Sequence, residues 1–244
     1  LFTTITIKAK LTENLFIFYQ DLIGMRLTDS GWQFEGESAS LSFVPSETSY
    51  QPAPTDGFWK IGITVVDLDA ACQWLRSQGA NVSSPRQFQD IGYLAHLSDP
   101  NGLIIELLQT TFEGNKPENL TLSHPVADGA TLAHITLRCH NKDAMQKWAD
   151  GIGLTLKSIQ PVTQYGFTLY FYSFIDEALP EQDLNSVANR EWLWQRPYTV
   201  LEFQLVDDAQ PFALPEEGES GLFAFEASGE EITPKTLKNA GLGK

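Results

Sequence analysis

One short alternating stretch opens the same sequence of elements four times along the chain, and this repetition limits the fold more than any other feature. The stretches are Thr4–Ile7, Lys60–Val65, His134–Leu137 and Leu222–Phe225, read as half-buried strands, with large and small apolar residues standing in for the apolar and polar alternation in the last. Counting from the first residue of each, an aromatic stands 14 positions on in the first three, as Phe18, Trp74 and Trp148. A glycine follows 19 or 20 positions on in all four: Gly24, Gly79, Gly153 and Gly241. Between strand and glycine, Asp67–Gln78 and Asn141–Asp150 carry apolar residues three and four apart, the spacing of an amphipathic helix. Asp67 and Asn141 suit the N-cap, and the glycines suit the left-handed residue that closes a helix. Each unit therefore begins strand, then helix.

Short strands follow in the first three units. They are Trp32–Glu35 and Ser40–Val44 in the first, Gly92–Leu97 and Leu103–Leu108 in the second, Phe167–Phe174 and Thr199–Leu205 in the third. The turn Asp99-Pro100-Asn101-Gly102 joins the second pair, its proline presetting φ and its Asn-Gly supplying positive φ. A polar insertion, Ile175–Arg190, interrupts the third unit, and the fourth is expected to be incomplete, since Lys244 comes just after its helix. Thr111–Gly129 is polar, with Pro117 and Pro125, and reads as a linker. The expected division is a first domain over 1–112 (modules 1–56 and 57–110), a linker over 113–129, and a second domain over 130–244 (modules 131–206 and 220–244).

Composition narrows the partners. Sixteen basic against 31 acidic residues give a net charge of −15, which repels nucleic acid and anionic membranes. No apolar run reaches the length of a membrane span. Cys72 and Cys139 lie in separate modules and read as buried thiols of a reducing compartment, so a cytoplasmic protein is expected. No phosphate loop, nucleophile elbow or paired-cysteine motif is present.

Three segments carry a resemblance to a known family: Phe18-Tyr19-Gln20-Asp21-Leu22-Ile23-Gly24, the run Lys60–Val82, and Asp99-Pro100-Asn101-Gly102-Leu103-Ile104-Ile105-Glu106-Leu107. They are similar to the vicinal oxygen chelate superfamily of glyoxalases, bleomycin-resistance proteins and extradiol dioxygenases. The resemblance covers residues 1–110 well, 131–206 moderately and 220–244 weakly. It implies an α+β fold of tandem βαβββ modules paired into curled mixed-sheet cups. It also implies metal positions on the first and last strand of each module. With neighbouring modules paired, Thr4, Ser42, Lys60 and Glu106 fall at those positions in the first cup, and His134, Glu202 and Leu222 in the second.

Strand parity puts the same residues on the polar, inward faces. In the first cup, the Lys60 ammonium would repel a metal and face Glu106, either as a structural ion pair or as an anion-binding group, so no metal is expected there. In the second, His134 and Glu202 are candidate ligands for a divalent zinc, nickel, manganese or iron ion, with Glu202 the candidate catalytic carboxylate. The alternative for His134 is a plain hydrogen bond to Glu202. Arg138, Arg196 and Tyr198 are candidate ligand-binding residues with Lys60 and Glu106; Arg196 and Tyr198 fall within the aromatic and charged run Arg190–Tyr198. His96 reads as a surface or core histidine.

Three functions remain open. One is a glyoxalase- or dioxygenase-like enzyme with metal-assisted lyase, isomerase or ring-cleaving chemistry. Another is a metal-free protein that sequesters a small molecule, and the third is a degenerate scaffold. The expected partner is a small molecule, with no nucleic acid and no membrane, and a homodimer is allowed.

Overall fold

The computed structural model describes residues 1–36, 39–207, 209–216 and 218–244. Module one supplies strands β1 (Phe2–Ala9), β2 (Arg26–Thr28), β3 (Gly31–Gln33) and β4 (Ser40–Pro45). Module two supplies β5 (Phe58–Val65), β6 (Arg86–Phe88), β7 (Gly92–Ser98) and β8 (Ile104–Gln109). Module three supplies β9 (Thr131–Cys139), β10 (Thr155–Val162), β11 (Phe167–Ser173) and β12 (Val200–Val206), and the last module β13 (Gly221–Ala227) and β14 (Glu230–Ile232). Helices α1 (Glu13–Ile17), α2 (Leu68–Ser77), α3 (Lys142–Gly151) and α5 (Pro234–Asn239) follow the first strands of the four modules, and α4 (Val187–Trp194) arises in the insertion.

The local signals act as their chemistry dictates. Asp67 and Asn141 accept hydrogen bonds from the amides of Ala70 (3.1 Å) and Ala144 (3.0 Å), satisfying otherwise orphaned N–H groups at helix starts. Gly24, Gly79, Gly153 and Gly241 take φ values of +79° to +87°, the left-handed conformation that ends each helix. In the Asp-Pro-Asn-Gly turn, Asp99 Oδ1 accepts from the amides of Asn101 (2.8 Å) and Leu103 (2.9 Å). The Tyr19 hydroxyl donates to Asp99 Oδ2 at 3.0 Å, and Asn101 exchanges two hydrogen bonds with the backbone of Lys10. The turn thus fastens module two to module one.

The strand order corrects the expected pairing of modules. A six-stranded sheet runs β14-β13-β1-β4-β3-β2 and an eight-stranded sheet runs β10-β11-β12-β9-β5-β8-β7-β6. Module one therefore pairs with module four, and module two with module three, across the boundary expected between two domains. The larger sheet has its central joint where β5 and β9 pair antiparallel, with Gly62 opposite His134 and Lys60 opposite Thr136. On either side a first strand pairs parallel with its own last strand, β5 with β8 and β9 with β12. Both alternatives bury the same strand faces, so alternation alone does not choose between them. Residues 111–129 are also more than a tether: Val126 is fully buried, and His124 packs edge-on against Trp74 at 5.4 Å.

Candidate functional site

Four inward side chains from four neighbouring strands converge beside the β5–β9 joint. Lys60 comes from β5, Glu106 from β8, His134 from β9 and Glu202 from β12, all with 6% exposure or less. Lys60 Nζ lies 2.5 Å from Glu106 Oε2 and 3.9 Å from Glu202 Oε2. His134 Nε2 stands between the carboxylates, 3.4 Å from Glu106 Oε1 and 3.3 Å from Glu202 Oε2. The sequence expectation splits these residues between two cups; the sheet assembles them in one. Leu222 lies in the other sheet, paired to Ile7, and does not weaken this site.

The room for the imidazole comes from a missing side chain. A Cβ on Gly62 would stand 1.9 Å from Cε1 of His134, far inside contact distance. Thr136 completes the His134 side by donating its hydroxyl to Glu202 Oε2 at 2.6 Å. His96, read from sequence as a surface or core histidine, lies with Nε2 2.9 Å from Glu106 Oε2. A signal for it was present. The four-residue turn sets Ser98 opposite Ile104, and counting back by two places His96 opposite Glu106.

Burial pushes the Glu106 carboxyl up, but the Lys60 ammonium and the two imidazoles reverse this and hold it well below the usual carboxylate range. Glu106 is therefore a carboxylate at neutral pH, locked to a cation. Glu202 is buried more deeply still, at 1% exposure, with Thr136 as its close partner, His134 Nε2 at 3.3 Å and Lys60 Nζ at 3.9 Å.

Above this floor is a cavity of about 250 Å³, walled mainly by Leu94, Leu108, Phe167, Leu169, Phe171 and Trp194 and touching Lys60, His96, Glu106 and Glu202. Helix α4 closes one side. Trp194 Nε1 donates to the Ile91 carbonyl at 2.8 Å, and Arg190 bridges to Asp90 at 2.5 Å, so the insertion of module three is fastened to the β6–β7 turn of module two. A wider surface groove of about 970 Å³ shares Trp59 and His96 but touches none of Glu106, His134 and Glu202. The smaller cavity is the one with chemistry at its base.

The other candidates are spent on structure and do not line the cavity. Arg138 donates to Gln204 Oε1 (3.1 Å) and to the carbonyls of Ala53 and Asp56 (each 3.2 Å), with its guanidinium 4.7 Å from the Trp59 ring centre. Arg196 stacks on Trp192 at 4.4 Å and reaches Glu177 Oε2 at 3.4 Å, the same oxygen that accepts from the Tyr198 hydroxyl at 2.8 Å. The physical reason is that Val187–Trp194 is helical and β12 begins only at Val200, so Arg196 and Tyr198 occupy the connection. Of that aromatic run, Trp194 is the residue that reaches the cup.

Residues 9–107 match the model of the Glyoxalase/Bleomycin resistance protein/Dioxygenase superfamily. The architecture is similar to glyoxalase I from Zea mays, at 14% identity with a TM-score of 0.63 over 91% of this chain and 72% of that one. A point mutant of the same maize enzyme matches at 13% identity, with a TM-score of 0.64 over 92% of this chain and 73% of that one. These likenesses establish the fold. The antibiotic binding protein TnmS3 from Streptomyces sp. CB03234 is 24% identical, with a TM-score of 0.37 over 44% of this chain and 93% of its own. No curated protein matches the sequence. Among the described residues no helix is long and apolar enough to cross a membrane.

Proposed function

We propose, for a chain that belongs to the glyoxalase/bleomycin resistance protein/dioxygenase superfamily through residues 9–107, that it binds a small, largely apolar organic molecule in the central cup, with a ligand oxygen directed at the floor. The observation that carries this reading is the pairing of an aromatic and aliphatic wall with a buried, charged base in one cavity. Apolar burial supplies the affinity, at about 25 cal/mol per Å² removed from water, and a few fixed polar groups set the orientation. The ammonium of Lys60 has donor capacity beyond its bond to Glu106 and lines the cavity, so an oxygen acceptor is the complementary ligand group. Two free, buried cysteines suit a cytoplasmic protein.

Metal chemistry of the kind the family implies depends on whether the residues present can hold an ion. Glu106, His134 and Glu202 offer ligand atoms within 4.8 Å of one another, a spacing that could hold a divalent ion. The fourth converging group is an ammonium, 2.5 Å from one of those oxygens. A protonated amine has no lone pair to give and repels a cation held by the same oxygens. The full set of four therefore does not fit a resident divalent metal.

Glu202 favours a second reading, proton transfer. It touches the cavity and is not tightly paired to Lys60 as Glu106 is, so it is the carboxylate able to accept a proton from a bound molecule. Binding comes first in either case. Trp59 and Trp194 both line the cavity, so their fluorescence reports occupancy. Titration with small aryl carboxylates, phenols and aryl ketones should give saturable, one-to-one quenching by at least one class. The filled-cavity variant Leu169→Trp should lose it. Equal quenching in that variant, or none with any class, rejects the cup as a binding site.

A further inference from the structure

The central cup is built on an approximate two-fold relation that the strand registers make explicit. Gly62 on β5 pairs with Glu106 on β8, and Thr136 on β9 pairs with Glu202 on β12. Lys60 stands two residues before Gly62, and His134 two residues before Thr136. The relation therefore exchanges Glu106 with Glu202, Gly62 with Thr136 and Lys60 with His134. Two carboxylates and one imidazole of this set offer ligand atoms within 4.8 Å of one another. The amine is the departure.

We infer that the Lys60 ammonium is the cup's built-in cation: it occupies the place a divalent metal would take, keeps the native site metal-independent, and receives the oxygen of the bound molecule. Nζ is 2.5 Å from Glu106 Oε2 and 3.9 Å from Glu202 Oε2, so it approaches both carboxylates that a metal would bridge. The side chain is 4% exposed, and its Nζ sits 4.4 Å from the Trp59 ring centre, a neighbour that also favours a cation. Swinging the amine out to admit a metal would separate it from Glu106 within a buried site, which opposes uptake. The role assigned to the ligand oxygen rests on the binding reading above; the exclusion of metal does not.

The relation also names the change that should open the site. Lys60→His restores the missing equivalence and gives a set of two imidazoles and two carboxylates, while Lys60→Gln removes the charge and leaves a neutral amide oxygen. Isothermal titration of chelator-treated protein with Zn²⁺, Ni²⁺ and Mn²⁺ is the primary test. The native chain should show no stoichiometric uptake, and its melting temperature should not respond to the ions. Lys60→His should bind one equivalent of at least one ion on the order of 100-fold or more tighter than the native chain, and melt higher with the ion than without it. Adding His134→Ala to that variant should abolish the gain.

Stoichiometric uptake by the native chain equal to that of Lys60→His would overturn the inference. So would absence of uptake by both Lys60→His and Lys60→Gln when circular dichroism shows both folded. A separate arm uses 2-naphthoate as probe. Quenching of the native chain by 2-naphthoate should survive chelator treatment and fall in Lys60→Gln. Quenching that needs added metal would overturn the assignment of Lys60. Because the metal titration uses no organic ligand, its result stands whether or not the cup binds naphthoate.

Discussion

The two sheets use one module plan and put it to different ends. In the six-stranded sheet the inward positions are Thr4, Thr6 and Ser42, half-buried residues with short hydroxyls. The register positions that correspond in the eight-stranded sheet hold Lys60, Gly62 and Glu106, all buried. The first sheet leaves its polar face open enough for water to satisfy it. The second is roofed by α4 and by the facing module, so its polar groups are drawn together: a tight ion pair and a threonine hydroxyl engage the two carboxylates, and two imidazoles stand within 3.3 Å of them. Burial, more than residue type, turns a sheet face into a site: it raises the cost of every unpaired charge and thereby fixes the geometry of the paired ones.

The strongest way to break that contrast is to remove the buried cation. Lys60→Met keeps the bulk but leaves Glu106 as a buried carboxylate without its main partner, and should cost about 3–5 kcal/mol of unfolding free energy by chemical denaturation. Its pH dependence has a definite sign. In the native chain Glu106 is held below its ordinary pKa, so its stabilisation is present above about pH 4.3 and is lost as the pH falls toward the folded value. In the variant the unpaired carboxyl prefers its proton. The stability gap between the two proteins should therefore be widest near neutrality and narrow in acid. A gap that widens on acidification would contradict the pairing.

Next in size is Gly62→Ala. The added methyl meets the His134 ring, which must leave the carboxylates or push β5 and β9 apart, at a cost of about 1–3 kcal/mol. The His134 proton resonances should move in the same variant. Unchanged resonances and unchanged stability would mean that the imidazole is not held as described. The smallest effect belongs to the other sheet. Thr6→Val, at the register position that corresponds to Gly62, should change stability by no more than about 0.5 kcal/mol either way, measured by the same denaturation. A loss comparable with that of the central-cup variants would erase the distinction between the sheets.

Much of this is readable residue by residue. The alternation of β1, β5 and β9, the capping Asp67 and Asn141, and the helix-ending glycines are local signals, and they locate the modules because their causes are local. Parity also turns Lys60, Glu106, His134 and Glu202 inward. Which modules share a cup is a long-range choice between pairings that bury the same faces, so the alternation carries no preference, and reading neighbouring modules as partners divides the four residues between two sites. His96 is within reach by counting register from the Asp-Pro-Asn-Gly turn. Gly62 is not, because its meaning depends on an imidazole on a strand some seventy residues away. Arg196 and Tyr198 mislead for a simpler reason: Val187–Trp194 folds as a helix, and the two residues pack on Glu177 in the connection that follows.

The antiparallel joint of β5 and β9 has a consequence for the chain as a whole. Each half, cut within residues 113–129, would carry one side of that joint and one side of the β1–β13 joint, and would expose two long strand edges with their backbone groups unsatisfied. Neither half is an autonomous unit, yet each holds the complementary edges of the other. The molecule is in effect a pair of interlocking fragments on one polypeptide, and the connection between them supplies local concentration as much as structure. Nicked in that segment, the two pieces should find each other again, and the cup would be the sign that they had.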